Sequence, residues 1–306
     1  MKKESAVLFG PAVGELYWEA ARFVPHFIWK KRKQLKSSKD VKFIVFTRPE
    51  RFDLYGLYSD ILVPLRIEGD GKDYIPNCFR MDNFPQNYFD ELVIKFRENY
   101  ASRFNILEHI YPKVDKQHFQ MKYQFQRQQM DYKYFPRRVN YDLVEKNIPK
   151  DKQLISLAPR YRNGLRRNWK RWQEFYDLLY NSDLRQKYNF VICGKDPDYV
   201  PDMKKRFYDV NYLIDSTLDA SSIGIVIEVL KRSILTIGSQ SGIPNISLLI
   251  GTPAIEFGHQ KRLHTVDYNI RKTKVHFIDD PKYQLSPETL LEESKKFLKQ
   301  LGGTNK

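Results

Sequence analysis

The stretch ILTIGSQSGIPNISLLIGTPAIEFGH, Ile234 to His259, reads in succession as strand, glycine turn, helix, glycine turn and strand. Ile234 to Ile237 is a β-rich apolar run. It delivers the chain into Gly238-Ser239-Gln240-Ser241-Gly242, small residues that let backbone N–H groups approach a ligand, and a helix starts at about Ile243 or Pro244. The free N–H groups and positive dipole end of such a helix favour phosphate. Proline suits the first helical position, where its missing N–H would have had no partner. Taken alone, the segment reads equally well as an ordinary strand-to-helix turn capped by Ser241.

Working outward, residues 151 to 258 repeat the alternation. Strands are expected at Leu154 to Ala158 and Phe190 to Cys193, and helices from about Trp169 to Tyr180 and from about Ser221 to Arg232. Such alternation argues for a parallel sheet covered on both faces. The first half is similar. Ala6 to Phe9 reads as a strand and Gly10 to Gly14 as a turn. Glu15 to Val24 reads as a helix placing Leu16, Ala20 and Phe23 on one face, and Phe43 to Thr47 and Ile61 to Leu65 as further strands. The expected architecture is α/β, with two Rossmann-like domains meeting at a central cleft. The boundary falls near Asn147 to Lys152, giving an N-terminal domain of residues 1–148 and a C-terminal domain of residues 149–306.

With 306 residues, 42% of them hydrophobic, the chain has material for two globular cores. No apolar run reaches membrane-spanning length, and the N-terminus does not read as a secretory signal. Cys78 and Cys193 are the only cysteines, which excludes a disulfide framework and a cysteine-rich zinc site and points to the cytoplasm, that of a host cell if the chain is phage-encoded. The net charge of +15 exceeds what solubility needs and points to a polyanionic partner.

Basic residues cluster at Lys30 to Lys39, at Arg160 to Arg171, and between Tyr100 and Tyr141, where Arg137 and Arg138 stand beside aromatic residues such as Tyr132 and Tyr134. Cations beside aromatic faces hold phosphodiester backbones and stack unpaired bases. The alternative is a solvated basic surface with its aromatics packed inward.

The order of Leu154 to Pro159, Lys170-Arg171-Trp172, Phe190 to Gly194, Gly238 to Gly242 and Gly251 to Gly258 resembles the C-terminal half of the heptosyltransferase-like glycosyltransferases, the ADP-heptose:LPS heptosyltransferases. The likeness covers residues 151 to 260 and, loosely, the first thirty. It implies the GT-B fold, with an N-terminal acceptor-binding domain and a C-terminal domain that binds a nucleotide sugar, UDP-linked among the candidates. It also implies roles for particular residues. Lys170 contacts donor phosphate with Trp172 as packing aromatic, and Asp196 in Gly194-Lys195-Asp196 holds the ribose. Gln240 to Asn245, with Ser239, Ser241 and Gly242, form the diphosphate turn. Gln240 stands where the family has an acid and Asn245 where it has a histidine, so the basic run that includes Arg160 is expected to supply the missing positive charge. The family's base, an acid after the first glycine turn, matches Glu15; its plainer reading is a first-turn acid complementing a helix dipole.

The resemblance further implies inversion at the anomeric carbon and a diphosphate met by amides, dipole and cations without metal or other cofactor. Asp196-Pro197-Asp198 also has the D-x-D form that holds a divalent metal in another glycosyltransferase class; its position suits ribose contact better. Phage-type DNA glycosyltransferases share this fold, and the aromatic, basic stretch suits a hydroxymethylated pyrimidine turned out of DNA as acceptor. The alternatives are an anionic glycolipid or polysaccharide and, from a different class, a non-enzymatic nucleic-acid-binding protein. Of the histidines only His259 follows a strand end of the expected cleft; His109 and the rest read as structural or surface residues.

Overall fold

A computed structural model describes residues 3–12, 16, 19–35, 40–65, 86–111, 137–160, 168–194, 207–218 and 221–302. The chain divides into two compact units, Met1–Arg137 with Ser222–Gly224, and Arg138–Ser221 with Ile225–Lys306.

The first unit is built on β1 (Ser5–Ala12), β2 (Val41–Thr47), β3 (Ile61–Pro64) and β4 (Asn105–Ile110), in the order β3-β2-β1-β4 with all pairs parallel. Alternation along the strands sends Ala6, Leu8 and Ile44 to one face, where Phe96 of the long helix Gln86–Ala101 and Phe104 complete a core. Val7, Phe9 and Phe43 point the other way. Arg32, from the short helix Lys30–Gln34, lies 4.2 Å above the Phe43 ring on that face.

Two local expectations change here. β1 does not stop at Phe9 but runs through Gly10 and Pro11 to Ala12. Gly10 has φ +105, and a Cβ there would stand 2.3 Å from the carbonyl oxygen of Phe46, so only glycine continues the strand. The helix that follows is π-type and spans Glu19–Trp29. Ala20, Val24 and Ile28, spaced by four, are buried along it. Arg48, Arg51, Thr47 and Tyr55 surround its first residue, the fully buried Glu19, at 3.7, 3.7, 3.4 and 3.1 Å. Burial raises the Glu19 carboxyl above its usual range against the opposing pull of Arg51 and Arg48.

The second unit begins with helix Arg138–Asn147, whose Glu145 meets Arg232 at 2.7 Å. Its sheet comprises β5 (Gln153–Ala158), β6 (Tyr188–Ile192), β7 (Tyr208–Asp209), β8 (Ser233–Ser239), β9 (Ala254–Gly258) and β10 (Val275–Asp279). The order is β10-β9-β8-β5-β6-β7, all parallel. Ile155, Leu157, Leu235, Ile237, Ile255 and Phe257 meet Trp172, Phe175 and Leu179 of helix Trp172–Asn181 and Leu290 and Phe297 of the terminal helix Pro287–Gly302. Each such side chain contributes about 1.5–3 kcal/mol on burial. The helix Ile223–Arg232 precedes β8, and Gly242–Ile250, named α1 below, follows it. Among the described residues no helix is long and apolar enough to cross a membrane.

Candidate functional site

Because β5, β6 and β8 are parallel neighbours, their C-terminal ends bring Arg160, Gly194 and the turn Ser239 to Gly242 to one edge of the second sheet. Gly238 pairs with Ala158, which places the turn beside Arg160. The Arg160 guanidinium donates to the Gln240 carbonyl oxygen at 2.8 Å. A cation therefore sits at the entrance of α1.

Ser241 occupies the N-cap position of α1 with extended backbone, but its hydroxyl makes no capping bond. The hydroxyls of Ser241 and of the fully buried Ser239 are both enclosed without a hydrogen-bond partner among the described residues. Buried hydroxyls are ordinarily paired. Two left unpaired at a helix N-terminus, beside an arginine, form a donor set for an anion. The plain reading of Ser241 as the cap of an ordinary turn does not describe this geometry.

Gln240 takes a different part. Its side chain is buried: Oε1 accepts from the His259 amide at 3.1 Å and from the Tyr283 hydroxyl at 3.1 Å, while Nε2 donates to Gln260 Oε1 at 3.1 Å. Gly258, at φ +149, leaves room for it, since a Cβ there would stand 2.8 Å from Gln240 Oε1. Gln240 thus ties the end of β9 to the turn and stands over His259, whose Nδ1 is 3.4 Å from the Tyr283 hydroxyl.

Asn245 is also turned inward. Its Nδ2 donates to the Ser241 carbonyl at 2.7 Å, and its Oδ1 lies 2.9 Å from Nδ1 of the buried His264. The same His264 nitrogen is 2.8 Å from Glu256 Oε2. One N–H stands between two oxygens and is aligned on Asn245, so Glu256 is left with the ring mainly as an electrostatic neighbour. Burial raises the Glu256 carboxyl above its usual range, and His264 works against that rise. A histidine from a distant segment thus backs the position where the resemblance expected one. No local pattern in the sequence announces it.

Lys170 is exposed in the turn before helix Trp172–Asn181, while Trp172 is buried in the core and Trp169 donates to the Leu285 carbonyl at 2.9 Å. Glu15, Asp196, Asp198, Tyr132 and Tyr134 lie outside the described residues, as do residues 161–167 of the basic run. Arg137 donates its backbone N–H to Asp53 at 3.0 Å, and Arg138, 92% exposed, lies 3.8 Å from Asp142. Tyr100, from the aromatic stretch, packs on Phe96 and on Phe104, itself buried in the core, which is the inward alternative for those two.

No protein-family model matches the chain, and no curated protein matches its sequence. Solved structures do. The E. coli ADP-heptose LPS heptosyltransferase II is similar over 97% of this chain and 99% of its own, with a TM-score of 0.55 at 10% identity. The family 9 glycosyl transferase from Veillonella parvula DSM 2008 is similar over 98% of each chain, with a TM-score of 0.51 at 12% identity. The chain, with its two parallel sheets, has the GT-B fold that it shares with these two solved structures.

Proposed function

We propose that the protein is a glycosyltransferase that moves a sugar from a nucleotide-sugar donor, UDP-linked among the candidates, to a hydroxyl acceptor. The observation that carries this reading is the pair of enclosed, unpartnered hydroxyls of Ser239 and Ser241 at the start of α1, beside Arg160. In this reading the diphosphate is met by those hydroxyls, the α1 amides, Arg160 and Lys170, with Asp196 on the ribose. Glu15 takes the proton of the acceptor hydroxyl as its oxygen bonds to the anomeric carbon, and the carbon–diphosphate bond breaks with its electron pair leaving on the nucleotide. Attack opposite the leaving group inverts the anomeric centre. Fixed donors stabilise the departing diphosphate, so the step runs without a metal.

For the acceptor we propose a hydroxymethylated pyrimidine in DNA, supported by the net charge of +15 and the basic, aromatic composition of residues 100–141. The likeness to an LPS heptosyltransferase favours the second reading, an anionic glycolipid or polysaccharide. A purely nucleic-acid-binding role leaves the two serine hydroxyls without a purpose. The test is incubation with a panel of nucleotide sugars, with and without EDTA, and with plain DNA, hydroxymethylated DNA or LPS-type glycolipid, followed by mass spectrometry of each acceptor. Sugar on hydroxymethylated DNA alone supports the first reading, and sugar on glycolipid alone replaces it with the second. Failure of every nucleoside diphosphate to stabilise the protein against heat overturns the enzyme reading.

A further inference from the structure

His109, near the end of β4, has no part in the reaction as written above. It pairs with Leu8 of β1, and in the order β3-β2-β1-β4 the junction of β1 and β4 is where the chain's direction of travel across the sheet reverses. Open parallel sheets hold ligands outside the strand ends at such a junction. There His109 Nε2 lies 2.7 Å from the carbonyl oxygen of Gly10. A carbonyl only accepts, so the nitrogen facing it carries the proton, and the neutral ring keeps its lone pair on Nδ1.

Nδ1 makes no hydrogen bond among the described residues, and the ring is only partly buried. The carbonyl that fixes the tautomer belongs to the one residue of β1 that must be glycine. Phe96, from helix Gln86–Ala101, stands edge-on to the ring at 5.5 Å, and Tyr111, just past β4, lies at 4.9 Å. The charged neighbour is Arg97 of the same helix. Burial first, and Arg97 after it, lower the imidazole's proton affinity, while the Gly10 contact raises it. The result is a ring kept neutral, with one acceptor site and no donor to spare.

We propose that His109 Nδ1 accepts a hydrogen bond from an N–H of the acceptor substrate, which makes His109 a specificity-determining residue of the acceptor site. The proposal rests on the reading of the protein as a glycosyltransferase with a DNA acceptor and narrows it. A lone-pair site selects a group that carries hydrogen, such as the exocyclic amine of hydroxymethylcytosine. It disfavours the carbonyl oxygen that hydroxymethyluracil presents at the same ring position, since two acceptors then face each other.

The test compares the wild-type protein with His109→Phe, which keeps a ring beside Phe96 and Tyr111 but offers no lone pair, and whose fold is checked by its melting temperature. On hydroxymethylcytosine DNA the variant is expected to raise the acceptor KM about tenfold, the weight of one hydrogen bond, with the donor dissociation constant unchanged. On hydroxymethyluracil DNA the variant is expected to have a lower acceptor KM than the wild type, because loss of the lone pair removes the clash of two acceptors. Wild-type acceptor KM is expected to rise as pH falls through the histidine's titration, because the protonated ring has lost its lone pair; the variant lacks that limb. Equal KM values on hydroxymethylcytosine DNA, or an acid limb that persists in the variant, overturn the proposal. A nitrogen NMR spectrum of His109 is independent of any acceptor: the neutral Nε2–H tautomer at pH 7 supports the assignment, and the Nδ1–H tautomer or a charged ring overturns it. A wild-type protein that binds no nucleotide sugar defeats the underlying enzyme reading, and the NMR result still decides the state of His109.

Discussion

Ser241 is the residue at which structure and chemistry part from the ordinary pattern. A serine at an N-cap normally accepts from the second or third helical N–H, and its loss costs about 1 kcal/mol of stability. Here that bond is absent, so Ser241→Ala is expected to leave the melting temperature of the free protein close to wild type and to weaken nucleoside diphosphate binding several-fold. Calorimetric titration alongside a thermal melt separates the two effects. A large drop in melting temperature with unchanged affinity would return Ser241 to a capping role. Lys170 is exposed, so Lys170→Ala is likewise expected to spare the fold. If the ammonium meets donor phosphate, the change costs about 1.5–3 kcal/mol of binding, the range for a charge-assisted hydrogen bond. Glu15→Gln is expected to retain donor affinity and lower turnover by about a hundredfold or more, as loss of a general base does. Near-normal turnover assigns Glu15 to its helix-dipole role.

Among the elements, β8, the glycine turn, α1 and β9 could be read from the chain to within a few residues. Apolar β-rich runs bounded by Gly238, Gly242, Gly251 and Gly258 leave little freedom in where strands end and a helix begins. The π turn of the helix Glu19–Trp29 could not be read, because buried positions spaced by four, such as Ala20, Val24 and Ile28, fit an α-helix equally well. Nor could the support behind α1. Glu256, His264 and Asn245 come from β9, the turn after it and α1, and nothing in their spacing signals that they meet. Their meeting has a testable energetic sign. A carboxyl whose folded proton affinity is raised carries no penalty below its unfolded value, near pH 4.5, and an increasing one as pH climbs through the folded value. Glu256→Gln, a neutral isostere, is therefore expected to raise the melting temperature at neutral pH, with the gain shrinking towards zero below about pH 4.5. A gain that is constant with pH would show that folding leaves the proton affinity of Glu256 unchanged, and a loss at neutral pH would show that the ionised carboxylate is stabilised by His264 in the folded protein.

For the whole molecule, fold and charge answer different questions. The fold, shared with proteins only 10–12% identical, is carried by strand patterning and turn chemistry and does not by itself decide which acceptor is used. The charge of +15 bears on the acceptor but not on the fold. Arg138 joins the two arguments. It is 92% exposed, and its 3.8 Å approach to Asp142 is the kind of surface pair that contributes about 0–1 kcal/mol, so the guanidinium exchanges that partner for a phosphate at little cost. If DNA is bound there, each phosphate contact releases counterions, and the logarithm of affinity falls with the logarithm of salt by about 0.9 per contact. Arg137→Ala with Arg138→Ala is then expected to reduce that slope by about one to two and weaken binding alike on all sequences. Tyr132→Ala or Tyr134→Ala is expected to weaken binding by about 1–3 kcal/mol for a lost base stack while leaving the slope in place. Fluorescence anisotropy with single-stranded and duplex DNA across a salt series reads both quantities. A slope unchanged by loss of both arginines removes them from the interface, and affinity indifferent to salt removes DNA as the acceptor altogether, because no polyanion binds a basic surface without displacing its counterions.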